Sequence, residues 1–156
     1  MTPEYRQKLA AELREAERAA ASPYVDYPAT PRWYEPAIGL WAAAFTITFS
    51  SYRDSLTFSL VMVGLIVIEL IFIRWLFTSH GAMPWPGFGK PPAEIRPVWN
   101  AYFAGCVVVV GLVALTWWQV GPWWAAGLTF VLVTGGLTWY DRAYAAAAQR
   151  VRERLA

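Results

Sequence analysis

The stretch Pro97-VWNAYFAGCVVVVGLVALTWWQVGPWWAAGLTFVLVTGGLTW-Tyr140 runs for 44 residues without one charged side chain. A helical crossing of a bilayer needs ~20 apolar residues. The run therefore has the length of two helices, joined by the tight turn Gln119-Val120-Gly121-Pro122. Trp117 and Trp118 precede that turn, and Trp123 and Trp124 follow it. Indole rings favour the membrane–water boundary, where the ring body lies in lipid and the N–H finds a wet partner. On this ground the sequence predicts an integral membrane protein.

Composition points the same way. The chain is 57% hydrophobic, 17% aromatic and 15% charged, whereas a soluble domain carries about 25% charged residues. Its 156 residues suit one compact bundle. A net charge of +2 is too small to suggest a nucleic-acid partner. Arginine outnumbers lysine eleven to two, and alanine and tryptophan are abundant, which suits a GC-rich bacterial genome. The lone Cys106 has no disulfide partner and nothing at metal-ligand spacing. The first 32 residues lack the apolar core of a signal peptide. The first crossing is then expected to act as its own uncleaved insertion signal.

Working outward, 97–120 and 122–140 read as the third and fourth crossings. Residues 37–51 and 55–78 read as the first and second, joined by Tyr52-Arg53-Asp54. The first is short for a ~30 Å hydrocarbon core, so it lengthens at Pro36 and Tyr52 or thins the bilayer. Between the second and third lies an inner loop, 79–96, rich in glycine and proline and holding Trp85 in a Pro-Trp-Pro triplet.

Residues 1–22 predict an amphipathic helix, solvated or skimming the membrane. Thr2 and Pro3 sit at cap and first helical position, Glu4 favours the positive helix end, and Glu4 pairs with Lys8. Its apolar stripe is Leu9, Leu13, Ala16 and Ala20, ending near Ser22-Pro23. Prolines 23, 28, 31 and 36 make 23–36 an extended linker, closed by Trp33 and Tyr34. Residues 141–156 continue the fourth helix into water with Tyr144, Ala148, Val151 and Leu155 on one face. The expected fold is all-α: an integral membrane four-helix bundle with amphipathic N- and C-terminal cytoplasmic helices.

Basic residues set the orientation. One side holds Arg6, Lys8, Arg14, Arg18, Arg32, Arg74, Lys90, Arg96, Arg142, Arg150, Arg152 and Arg154, and the other holds Arg53 alone. Positive loops stay cytoplasmic. Both termini and the inner loop are therefore expected inside, in the cell (inner or plasma) membrane.

Glu69 is the residue that most needs explaining. It lies about 14 residues into the second crossing, ~21 Å from its outer end. A carboxylate at such depth costs at least ~2.5 kcal/mol and ordinarily faces the bundle or a cavity. Arg74, five residues on, stands ~140° round the helix from it, which favours a snorkelling headgroup anchor with Trp75 over a direct pair. Trp41, Gly105, Cys106 and Thr134 fall at similar depth. Thr134 and Trp41 are thus the candidate hydrogen-bond donors to Glu69. The resulting polar site reads as interhelical glue, as a proton- or cation-coupled transport acid, or as a contact for a partner subunit or lipid.

Other interface anchors are Trp33, Trp117, Trp118, Trp123, Trp124 and Trp139. Small residues at Gly39/Ala43, Ala101/Gly105 and Gly127/Gly135 mark candidate packing faces. His80 is the only histidine. Asp26, Glu35, Glu94 and Asp141 can lie near it on the inner face, but no spacing makes a zinc site. Gly87-Phe88-Gly89-Lys90 lacks the strand and spacing of a phosphate loop, and neither a nucleophile elbow nor a metalloprotease motif is present. No metal, cofactor or catalytic residue is expected. The expected partners are the lipid bilayer and other membrane subunits or a second copy in a homo-oligomer.

Four short crossings, an approach ending in Pro31-Arg32-Trp33-Tyr34 and an arginine-rich C-terminal helix resemble small uncharacterised four-helix membrane proteins of high-GC actinobacteria. That resemblance implies no activity. The small multidrug-resistance exporters are similar in size and plan, but their functional acid lies in the first helix. Here 37–51 contains no acid and Glu69 sits in the second. The leading expectation is a non-enzymatic structural or accessory membrane subunit, and the alternative is a small proton-coupled solute transporter acting through Glu69.

Overall fold

The computed structural model describes residues 3–26, 30–51, 55–80 and 90–156, with the side chains of 76, 77, 79 and 80 excepted. The Thr2 cap, the Tyr52-Arg53-Asp54 turn, the loop around Trp85 and the His80 side chain lie outside what is described. Among the described residues the fold is all-α, with no strand. Its helices are α1 (Pro3–Val25), α2 (Tyr34–Ser51), α3 (Leu56–His80), α4 (Arg96–Val120) and α5 (Pro122–Leu155). Two of them hold stretches long and apolar enough to cross a membrane, Leu56–Trp75 and Arg96–Val120. The 20 residues of the first rise ~30 Å, the depth of a hydrocarbon core. In α2 and the front of α5, threonine, serine, glycine and tryptophan dilute the aliphatic content.

α5 is the spine. α1, α2 and α4 each pack on it, whereas α3 packs on α2 alone. The helices from α2 onward thus lie in a row, α3–α2–α5–α4, and α3 and α4 do not close the row into a ring. Interior positions in this half are small or hydroxylated: Gly39, Ala43 and Thr48 on α2, and Ala125, Ala126 and Thr129 on α5. No described residue of α3 is buried, and its Val63, Leu70 and Ile71 point outward. Large apolar side chains out and small ones in is the reverse of a water-soluble bundle and suits lipid as solvent.

Large buried side chains gather elsewhere. Ala21 and Val25 of α1, Ile95, Val98 and Trp99 at the start of α4, and Ala147, Ala148 and Val151 of α5 form one core cluster. Tyr24, Tyr140, Ala143, Tyr144 and Leu155 pack around it. α5 runs 34 residues unbroken, and Val151 stands ~16 Å beyond Tyr140 along its axis. This cluster makes a compact head on the extension of α5.

Two boundaries differ from the sequence reading. α1 continues through Pro23 to Val25, because a proline in the last turn forfeits one hydrogen bond while Ala21 and Val25 gain burial. Its contact face is Ala21 and Val25, not the stripe of Leu9, Leu13, Ala16 and Ala20, all of which are exposed. α2 begins at Tyr34, ahead of Pro36. There the proline falls in the first turn, where its missing N–H has no helical acceptor to lose.

The α4–α5 turn is a single residue. Gly121 has φ 111° and ψ 172°, and its N–H reaches Thr116 O and Trp117 O. Pro122 then opens α5 with φ preset for a helix. That backbone region is essentially restricted to glycine. Gly121→Ala is expected to cost about 1–3 kcal/mol, read as a lower thermal midpoint of the helical signal in detergent. An unchanged midpoint would contradict this turn geometry.

Candidate functional site

Glu69 is half-buried on α3. Trp41 comes to it from α2, but its Nε1 donates to the Leu65 carbonyl at 3.4 Å. Leu65 is one turn before Glu69, so the indole lies against the α3 backbone a turn from the carboxyl. Thr134 is placed on the other side of α2. A Cβ built on Gly39 would stand 2.1 Å from Thr134 Oγ1, and that buried hydroxyl has no hydrogen-bond partner among the described residues. Gly39 and Trp41 are two positions apart, ~200° round the helix, so Gly39 faces α5 as Trp41 faces α3. Neither expected donor is bonded to Glu69. Depth along the helix was legible in the sequence, and azimuth was not.

The α2–α5 seam holds its polarity locally. Thr46 Oγ1 lies 3.3 Å from Thr129 Oγ1 across the interface. Each also donates to its own helix, Thr46 to Ala42 O at 2.9 Å and Thr129 to Ala125 O at 2.8 Å. Gly39 and Ala43 are the small pair that packs. Gly105, Gly127 and Gly135 have open space before them, and Ala101 is exposed.

The aromatic residues mark two levels. Trp41, Phe45 and Phe49 stack along α2, and Phe49 meets Trp117 of α4 edge-on at 5.9 Å. Trp117 thus packs partly inward at the tip of the hairpin, whereas Trp118, Trp123 and Trp124 are exposed. At the opposite end Tyr34 of α2 meets Phe72 of α3 at 5.9 Å, and Tyr102 of α4 meets Tyr140 of α5 at 4.9 Å. Trp33, Arg74, Trp75 and Trp139 stand exposed near this second level.

Just beyond it, Asp141 of α5 approaches Thr30 and Glu35, and no other candidate acid joins them. Burial pushes the Asp141 carboxyl up, the Thr30 hydrogen bond pulls it back, and Glu35 pushes it up again. A carboxyl raised in the folded chain keeps its proton at pH values where the unfolded chain has lost it. Stability therefore falls as pH climbs from the ordinary aspartate range through the folded-state value. Asp141→Asn is expected to raise the thermal midpoint at neutral pH and to flatten that fall. A midpoint lowered at neutral pH would contradict the assignment. Asp26 instead accepts from Ser22 Oγ at 2.6 Å, and Glu94 pairs with Arg154 at 2.9 Å. No group of three or more potential metal ligands forms among the described residues.

The head is fastened by contacts that the sequence did not disclose. Tyr144 Oη donates to Tyr24 O at 2.9 Å, and Arg154 joins Glu17 of α1 to Glu94. Arg18 donates to Leu155 O at 2.6 Å at the end of α5, while Arg152 donates to Val25 O at the end of α1. Each helix's C-terminal carbonyl is thus capped by an arginine of the other. The partners run in opposite order, so α1 lies antiparallel to the α5 tail and its first half extends past the end of α5, fully exposed.

Comparisons with protein-family models, curated proteins and solved structures find no match to this chain.

Proposed function

We propose that the chain is a multi-pass protein of the cell membrane. It crosses four times, at about 37–51, 55–78, 97–120 and 122–140, with both termini, the head and the inner loop in the cytoplasm. Its role is that of a non-enzymatic structural or accessory subunit, which binds other membrane proteins, or a second copy, through its helices. The observation that supports this best is the open row of helices. α3 rests on α2 alone and turns Val61, Val63, Leu70 and Ile71 outward, a full helix face for a neighbouring membrane helix. The head offers a second surface on the water side. Crosslinking in cells followed by purification in mild detergent tests the reading: a discrete partner or homo-oligomer is expected, and a lone monomer with no crosslinked species overturns it.

Glu69 separates this role from proton-coupled transport. As a packing residue its loss lowers thermal stability and leaves membrane insertion intact. If Glu69→Gln instead abolishes a proton-driven solute flux without changing stability, the transporter reading replaces the accessory one.

A further inference from the structure

We draw no further inference here: the strongest candidate, the groove of about 510 Å³ between the end of α4 and the front of α5, lined by Thr116, Val120, Trp124, Gly127, Leu128 and Val131, carries nothing, because nothing in the structure shows what covers it.

Discussion

Trp99→Ala is expected to dismantle the head at a cost of about 3–5 kcal/mol. Trp99 is 5% exposed and sits where the start of α4 meets α1 and α5, with Tyr24 at 6.1 Å between ring centroids. Its removal leaves a void in the core it shares with Val25, Val98 and Val151, which the rigid α5 cannot collapse to fill. α1 is held by this core and by a few exposed polar contacts, and exposed ion pairs alone contribute little. The loss should therefore appear as early proteolysis after Lys8 or Arg14 and as faster amide exchange in α1 and the α5 tail. The α2–α5 seam, remote from the void, should stay protected. Uniform loss of protection across both halves would instead make the head and the α2–α5 half one cooperative unit and contradict this expectation.

Gly39→Leu is expected to pry α2 from α5, with an effect of similar size at the α2–α5 seam. Even a Cβ at that position meets Thr134 Oγ1 at 2.1 Å and the Phe130 carbonyl at 3.1 Å. Gly39→Ala alone should cost about 1–3 kcal/mol as overpacking. Adding Thr134→Ala should recover part of it, because the nearest clashing atom is then gone and the hydroxyl it removes has no partner to lose. Leucine reaches beyond Thr134 to the α5 backbone, so no such rescue is expected for it. Equal midpoints for wild type and Gly39→Ala in detergent would refute the close approach.

The sequence carries some of this plainly and some not at all. Apolar length and the Gly121-Pro122 pair fix α4, the start of α5 and their tight turn, since each rests on local physics. Gly39 and Ala43 were legible as a packing face because small residues four apart share one side of a helix. The partners of Glu69 were not, because two helices can hold residues at one depth and turn them apart. The head was the larger omission. Its core is built from Ala21, Val25, Trp99 and Val151, which belong to three helices and have no periodicity in common. The stripe of Leu9 and Leu13 lies off the Ala21/Val25 face by which α1 packs. Glu17, Glu94 and Arg154 read separately as surface charges, and only the antiparallel docking of α1 on α5 makes them a group.

Impermeant-maleimide labelling of intact cells decides the proposed four-crossing topology. With Cys106 replaced by alanine, single cysteines are placed at Gln119, on the hairpin tip, and at Tyr5 and Arg150, on the head side. Gln119→Cys is expected to label from outside while Tyr5→Cys and Arg150→Cys label only after the membrane is opened. Labelling of the head positions in intact cells, or recovery of the protein in the soluble fraction, would contradict it.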